Sequence, residues 1–228
     1  MATIANKVQD VRARIEAACA AAKRPVESVT LLAVSKTFDA ATVRAAQAAG
    51  LSRFGENYVA EALEKMAELA DLRSRLEWHL IGPLQSNKTR DAAEAFDWVH
   101  SVDRLKIAQR LSDQRPAYLP PLQVCLQVNI SGEASKNGIA PGDLLDLARQ
   151  VAVLPRLCLR GLMAIPEPAD GYEAQRLPHR ALHQLMLRLQ SAGLALDTLS
   201  IGMSADLEAA IAEGSTMVRI GTAIFGGR

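Results

Sequence analysis

Apolar residues along the chain follow two alternating patterns. The first segment carries an apolar residue every three or four positions, as at Ile4, Val8 and Ile15, which predicts an amphipathic helix that ends before Pro25. Beyond this helix, short apolar runs alternate with helical patterns, and each run is typical of a buried strand. The predicted strands are residues 29–34, 53–55, 78–81, 98–102, 122–128, 158–163, 198–201 and 217–220. The run at 53–55 is the weakest of them.

A helical pattern follows each of these strands. The predicted helices are residues 40–49, 58–72, 88–95, 103–114, 143–153, 173–192 and 205–212, with a short last helix from 222. Strands that alternate with helices pair in parallel, and eight such units predict a closed (β/α)₈ barrel of the TIM type rather than an open sheet. No linker or change in composition divides the chain. We therefore expect one α/β domain, residues 1–228, with an extra N-terminal helix.

Composition and charge restrict the class of function. The chain has 228 residues, of which 49% are hydrophobic, enough to bury one large core. A formal net charge of +1, from 26 basic and 25 acidic residues, argues against a nucleic-acid binder with a broad basic surface. Aromatic residues make up only 4%, which argues against stacking on single-stranded nucleic acid.

Cysteine usage and the lack of targeting patterns indicate a soluble cytoplasmic protein. Cys19, Cys125 and Cys158 form no CxxC pair, and this odd, scattered count fits a reducing compartment. Cys125 and Cys158 lie in apolar strand-like runs, which predicts buried free thiols. The N-terminal segment is charged at Lys7 and Asp10, so it does not read as a signal peptide. No run of about 18 apolar residues predicts a membrane span.

Active residues of (β/α)₈ barrels cluster where strands end at their C-termini. Lys36 directly follows the first predicted strand. In a partly apolar setting burial disfavours the charged amine, and a neutral amine can attack an aldehyde to form a Schiff base. The alternative is a lysine that reaches into solvent. The other candidates at strand ends are Glu56, Asn57, His79, Gly82, Ser101, Asn129, Met163, residues 202–204, Arg219, Gly221 and Thr222.

Two glycine-containing loops follow the seventh and eighth strands. Gly202 and Ser204 precede one predicted helix, and Thr222 is the expected N-cap of the other. Free amides at helix starts attract anions, and barrels often bind phosphate at these two loops. Ordinary helix capping by Ser204 and Thr222 is the alternative. Asp206 would repel a phosphate if it pointed inward, so we expect it to face away.

The sequence resembles the YggS/PROSC family of pyridoxal 5′-phosphate (PLP)-binding proteins, also called PLP homeostasis proteins, from about residue 8 to residue 226. Seven ordered blocks carry this resemblance, and together they are far more specific than any one alone. The blocks are 32–37 (LAVSKT), 54–58 (FGENY), 78–88 (WHLIGPLQSNK), 128–133 (VNISGE) with Lys136 and Gly138, 161–166 (GLMAIP), 199–206 (LSIGMSAD) and 219–226 (RIGTAIFG).

The resemblance implies a barrel like the N-terminal domain of alanine racemase, fold type III among PLP proteins. It implies that Lys36 holds PLP as a covalent Schiff base and that Arg219 lies beside the pyridine nitrogen. A guanidinium has no acceptor, so it can only donate to an unprotonated nitrogen, which makes the ring a weaker electron sink. A salt bridge at the barrel mouth is the alternative for Arg219. The resemblance places the remaining site residues as follows: the hydroxyls of Ser204 and Thr222 and the amides of Gly202, Met203, Ser204 and Gly221 on the phosphate, and Asn57, Met163 and Ser200 along the ring.

The same resemblance points to a carrier rather than an enzyme. Alanine racemase has a second, β-rich domain and a tyrosine base, whereas the tyrosines here, Tyr58, Tyr118 and Tyr172, lie where no catalytic base is implied. We expect a monomer that binds, buffers and delivers PLP, with apo-forms of PLP enzymes as acceptors. The alternatives are a small PLP-dependent amino-acid racemase and a barrel enzyme that acts on a phosphorylated metabolite without PLP.

Other polar residues have less specific interpretations. His79 and His100 are expected to be packed, hydrogen-bonded histidines rather than catalysts. His179 and His183 have the spacing of a metal pair on a helix, but no third ligand is apparent and a solvated helix face is expected. Lys88 and Lys136 are surface lysines or secondary PLP-reactive amines near the mouth.

Overall fold

Eight parallel strands pair in sequence order, and the eighth pairs with the first, which closes the barrel. The structure is a computed structural model that describes residues 3–132 and 137–227. The strands are β1 (Thr30–Val34), β2 (Arg53–Glu56), β3 (Glu77–Leu80), β4 (Trp98–Val102), β5 (Leu122–Gln127), β6 (Leu157–Met163), β7 (Thr198–Ser200) and β8 (Met217–Ile220). The predicted (β/α)₈ barrel is confirmed, including the weakly patterned second strand.

A helix precedes the first strand and another follows each strand. The helices are α1 (Ile4–Ala21), α2 (Ala40–Ala48), α3 (Val59–Glu68), α4 (Thr89–Ala95), α5 (Leu105–Gln114), α6 (Leu144–Ala152), α7 (Tyr172–Ser191), α8 (Leu207–Ala212) and α9 (Thr222–Phe225). The single helix expected at 58–72 is wrong at its end, because α3 stops at Glu68 and a 3₁₀ segment, Ala70–Arg75, continues the chain.

Alternating side chains along each strand divide the apolar residues into two groups. Ala33 and Val218 belong to the main core between the strands and the helices. Their strand neighbours Leu32, Val34 and Met217 form a separate cluster with Ile81. Because successive side chains of a strand point to opposite faces, this second group lies inside the barrel.

The leading helix α1 packs against α8 and α9, beside two strand-end loops that matter for the site. The Arg14 guanidinium on α1 donates to both carboxylate oxygens of Glu208, each at 2.9 Å, and to the carbonyl oxygen of Ser204 at 3.1 Å. Val8 and Val11 of the same helix are buried. The extra helix therefore braces the loop after β7 from outside the barrel.

Across residues 3–132 and 137–227, no helix combines the length and the apolar character that a membrane crossing needs.

Candidate functional site

A cavity of about 370 Å³ opens at the C-terminal ends of the strands, where barrels place their active sites. This volume lies within the range of small-molecule sites, roughly 300–1,000 Å³. Its lining residues are Val34, Lys36, Asn57, Ile81, Gly82, Pro83, Ile165, Met203, Ser204, Ala205, Arg219, Gly221 and Thr222. Two cations, three polar side chains and apolar walls thus surround one space.

Lys36 stands at the mouth of this cavity, two residues after the end of β1. Its side chain is exposed, so the partly apolar burial expected from the sequence is not found. Within the described residues, the structure gives its amine no hydrogen bond or ion pair. The next residue, Thr37, has a φ of 67°, and its amide donates to Glu61 Oε1. A primary amine is therefore held on a constrained turn with its nitrogen free to react.

A buried ion pair supports this turn from behind the strands. Lys65 Nζ on α3 donates to Glu56 Oε1 at 2.7 Å and to the carbonyl oxygen of Ser35 at 3.0 Å. The Ser35 hydroxyl donates to the same Glu56 oxygen at 2.5 Å. Burial raises the pKa of Glu56, and the hydrogen bonds from Lys65 and Ser35 oppose that shift. Glu56 was a strand-end candidate, but its carboxylate faces α3 and does not line the cavity. It holds Ser35, the residue before Lys36.

Arg219 is 4% exposed and forms part of the cavity floor. Its Nη1 donates to the carbonyl oxygen of Ser200 and, at 2.9 Å, to the Ser200 hydroxyl, while Nη2 donates to the carbonyl oxygen of Ala164 at 2.8 Å. Burial lowers the pKa of Arg219 to about 10, so the group is cationic at neutral pH. No carboxylate pairs with it in the described part of the chain, so the alternative of a salt bridge at the mouth is wrong.

The loop after β7 is held by Asp206. Its Oδ1 accepts from the Met203 amide at 2.6 Å and its Oδ2 lies 2.9 Å from His179 Nε2 on α7. Burial alone would raise the pKa of Asp206, but the hydrogen bonds from His179 and Met203 outweigh it and leave the pKa below its ordinary value. The expectation that Asp206 faces away from the cavity is confirmed. The Met203 amide is engaged by this carboxylate, so the loop geometry as it stands leaves it no free N–H for a phosphate.

Two glycines fix the loop shapes for steric reasons. Gly202 has a φ of +94°, and a Cβ there would lie 2.6 Å from the Cβ of Ala210, so the close approach is to α8 and not to a ligand. A Cβ at Gly82 would lie 2.2 Å from the carbonyl oxygen of Asn57. The loops after β2 and β3 therefore touch, and this contact sets Asn57 in the cavity wall.

The loop after β8 enters the short helix α9. Gly221 is its N-cap and Thr222 its first helical residue, so the expectation that Thr222 caps the helix is wrong by one position. The first amides of a helix have no partner within it. Thr222 therefore offers a hydroxyl and an amide on the cavity side of one turn.

The cavity brings together seven of the ten residues expected at the site, and the other three lie beneath it. Met163 is fully buried against Trp98 and Cys125. Ser200 is buried under Arg219, and Gly202 packs on α8. Sequence reasoning missed the apolar walls Ile81, Pro83 and Ile165, although all three lie inside the resemblance blocks. Motif neighbours were the signal that could have found them.

The remaining polar candidates lie elsewhere. His79, His100 and Ser101 are buried in the strands, so the packed-histidine interpretation is confirmed for His79 and His100. His179 is also fully buried, so the expected solvated face is wrong there, because Asp206 lies against it. Within the described chain, no three His, Cys, Asp or Glu side chains are grouped to hold a metal.

The two further lysines and the two strand cysteines predicted from the sequence lie outside the cavity or beyond the described residues. Lys88 lines a neighbouring cavity, and Lys136 lies outside the described residues. Cys125 is buried, and burial raises the pKa of its thiol to about 12. Cys158 is only half-buried, so the expectation of a buried thiol is right for Cys125 alone.

The fold and the site define a barrel of the alanine racemase type. The family described as "Alanine racemase, N-terminal domain" matches residues 8–228. An alanine racemase from Clostridium difficile superimposes with a TM-score of 0.70 over 88% of this chain and 53% of that one, at 16% identity, which shows the shared fold.

Closer relatives narrow the class. The pyridoxal phosphate homeostasis protein of Pseudomonas aeruginosa is 65% identical over 100% of this chain and 97% of its own length, and that of Escherichia coli is 55% identical over 100% and 98%. PipY of Synechococcus elongatus, solved with PLP bound, has a TM-score of 0.86 at 39% identity, covering 98% of this chain and 100% of that chain. The chain belongs to the family of pyridoxal phosphate homeostasis proteins.

Proposed function

We propose that this chain binds PLP in the cavity at the C-terminal face and takes part in intracellular PLP homeostasis. The observation that carries the proposal is the meeting of Lys36, Arg219, Ser204 and Thr222 around one cavity of about 370 Å³. These groups suit the three ends of the cofactor: an amine for the aldehyde, a donor for the ring nitrogen, and hydroxyls for the phosphate. The PLP-bound PipY supports the assignment.

Each residue has a distinct part in this proposal. Lys36 would hold the aldehyde end of PLP through its free amine, as a covalent Schiff base that forms with loss of water and is reversible. Ser204, Thr222 and the first amides of α9 hold the phosphate, and Asn57 lies along the ring. Arg219 donates to the ring nitrogen and keeps it unprotonated, because a guanidinium has no acceptor. Bound PLP supplies an electron sink, which this donor weakens.

The side chains of the cavity favour reversible storage of PLP over catalytic turnover of a substrate. Among its described lining residues, Lys36 and Arg219 are the only ionisable side chains. General acid–base catalysis needs a second group within hydrogen-bond reach of the transferred proton. Tyr58, the tyrosine nearest to Lys36 along the chain, lines the adjacent cavity instead. The homologues are likewise named homeostasis proteins and not enzymes.

The proposal extends to partners and location. We place the protein in the cytoplasm as a monomer that delivers PLP to apo-forms of PLP enzymes. The three cysteines are free thiols, which suits a reducing compartment. The exposed position of Lys36 leaves the covalent bond open to competing amines, as a carrier requires.

The test is retention of a visible absorbance band after incubation with PLP and desalting. We expect the band in the wild type and its loss in Lys36→Ala, with borohydride reduction fixing the added mass on the Lys36 peptide. Lys88→Ala is the matched control, because Lys88 is a lysine of the adjacent cavity with only a 3.9 Å contact to Asp91. A colourless wild type would refute PLP binding, and turnover of alanine or serine stereocentres at ordinary enzymatic rates would refute the carrier role.

A further inference from the structure

A row of polar side chains crosses the interior of the barrel, from Glu77 at the start of β3 to Arg219 in the cavity floor. Arg219 Nη1 lies 2.9 Å from Ser200 Oγ, and Ser200 Oγ lies 2.9 Å from His100 Nδ1. His100 Nε2 lies 2.9 Å from His79 Nδ1, and His79 Nε2 lies 2.8 Å from Glu77 Oε1. These five residues, the polar row, stand where barrels of this type ordinarily carry branched apolar side chains.

The two ends of the polar row, together with neutral histidines between them, set the direction of every hydrogen bond in it. A guanidinium can only donate, and an ionised carboxylate can only accept. Glu77 must therefore receive a proton donor from His79 Nε2, which leaves His79 Nδ1 as an acceptor for His100 Nε2–H. His100 Nδ1 then accepts from the Ser200 hydroxyl, whose oxygen accepts from Arg219. With both histidines neutral, all four bonds are satisfied only in this one sense, with each ring protonated on Nε2, whereas a charged His79 would reverse the two inner bonds.

The surroundings keep the two histidines of the polar row dry and neutral. His79 and His100 are fully buried, and Trp98 stacks on His79 with ring centroids 5.3 Å apart. Burial lowers the pKa of His79, partly opposed by Glu77. Burial also lowers the pKa of His100 well below its ordinary value, and the charge of Arg219 acts in the same direction. In such an environment hydrogen bonds are strong, and an unpaired member is costly.

Arg219 gains one fixed orientation from these contacts. Three of its N–H groups are taken by the Ser200 carbonyl, the Ser200 hydroxyl and the Ala164 carbonyl. A guanidinium has five such donors, so two remain, and the residue lines the cavity. If His100 no longer accepted from the Ser200 hydroxyl, the Ser200 side chain could adopt other rotamers. Arg219 would then lose one of the three contacts that fix its orientation. The row thus determines which donors face the ligand.

We propose that His100 is a positioning residue for the cofactor site, which holds Ser200 and Arg219 in one arrangement through a row whose direction Glu77 fixes. This inference rests on the proposed function, since the ring nitrogen that Arg219 would contact belongs to PLP. His100 does not touch the cavity, so it acts through Ser200 and Arg219 alone.

Tautomer assignment tests the direction of the row without any cofactor. In ¹⁵N-histidine-labelled protein at neutral pH, long-range proton–nitrogen spectra should show His79 and His100 neutral and protonated on Nε2. A proton on Nδ1 of either ring, or a charged ring, would overturn the inference. His183, on α7 outside the barrel interior, serves as the internal reference, and His183→Gln assigns its signals.

Binding measurements test the positioning role. His100→Phe keeps an aromatic ring but removes both nitrogens, and we expect PLP affinity to fall about tenfold, the equivalent of one buried hydrogen bond, with a shifted visible band. His100→Gln, which retains one acceptor and one donor, should recover most of the affinity, and His183→Gln should leave it unchanged. Ser200→Ala should reproduce the His100→Phe result and decides the matter if His100→Phe does not fold.

The outcomes separate this inference from the proposed function. If the wild type takes up no PLP, the proposed function fails, whereas the tautomers still decide whether the row runs as described. If the wild type binds PLP and both His100→Phe and Ser200→Ala match its affinity and spectrum, the positioning role is wrong.

Discussion

The two ends of the barrel use arginine in opposite ways. At the N-terminal face, a depression of about 630 Å³ is lined by five arginines, more than any other cavity described in the chain: Arg53, Arg73, Arg75, Arg115 and Arg160. Four of these bond carboxylates or backbone carbonyls of the protein. At the C-terminal face, a smaller cavity holds one arginine, Arg219, with no carboxylate partner and two N–H groups to spare. Cavity size and the number of arginines therefore do not locate the site. What distinguishes the C-terminal cavity is that its two cations, Lys36 and Arg219, have no carboxylate among the described lining residues, whereas Glu77 and Asp97 line the N-terminal depression.

The partners at the N-terminal face explain this difference. Arg53 bonds Glu77 at 3.1 Å, Arg73 bonds Asp97 at 2.8 Å, and Arg160 bonds Asp197 at 2.6 Å. Arg115 is 4% exposed and donates to three backbone carbonyls. A donor that is already bonded must break that bond before it can hold a ligand. The four bonded arginines of the N-terminal face consequently stabilise the fold, in agreement with the usual division between the two faces of such barrels.

The largest combined effect is expected for Arg219→Met. The variant leaves the Ser200 and Ala164 carbonyls without their donor, which should lower the free energy of unfolding by roughly 2–4 kcal/mol. PLP affinity should fall by about 10- to 100-fold through loss of the charged donor. Urea unfolding and a PLP titration measure the two effects. Stability loss with unchanged affinity would place Arg219 with the structural arginines.

Arg115→Met is the matched experiment at the other face. Three carbonyls lose their donor in a buried position, so the free energy of unfolding should fall by a similar amount, about 2–4 kcal/mol. PLP affinity should remain that of the wild type in the fraction that is folded. A drop in affinity as large as that of Arg219→Met would break the division between the faces.

Asp206→Asn tests a polar contact that shapes the cavity from outside. The wild type should be more stable by roughly 1 kcal/mol, the worth of a charge-assisted hydrogen bond to His179. Because folding lowers the pKa of Asp206 below its ordinary value of 3.8, this advantage is present above that pH and disappears as the pH falls through the folded-state value. Unfolding curves of both proteins between neutral and acidic pH measure it. A difference that persists at the lowest pH would show that the charge plays no part.

The smallest effect is expected for Arg75→Ala. Within the described residues, Arg75 is the N-terminal-face arginine with no hydrogen bond or ion pair, and it is exposed. Substitutions at such surface positions usually change stability by less than about 0.5 kcal/mol. Unfolding and PLP titration should both match the wild type. A clear loss of PLP binding would reveal a functional anion site on this face.

Much of the architecture followed from the sequence because local patterns carry it. Apolar runs of strand length and the three- and four-residue apolar spacing of α1 were enough to predict the closed barrel. The second strand shows where local signal ends: Arg53–Glu56 has a weak pattern but pairs with both β1 and β3. The helix predicted at 58–72 shows the converse, since its pattern continues past Glu68 where the backbone turns into a 3₁₀ segment.

The sequence by itself determined the strand-end positions of Lys36 and Arg219, because strand order in a parallel barrel brings all C-terminal ends to one mouth. Only the tertiary structure decided which polar groups already have a hydrogen-bond or ion-pair partner within the protein and which do not. Asp206 takes the Met203 amide, His179 is buried, and three arginines of the N-terminal face are neutralised by carboxylates up to 37 residues away along the chain. Whether an N–H group can bind a ligand depends on such contacts between residues that are distant in the chain, and local sequence patterns do not record them.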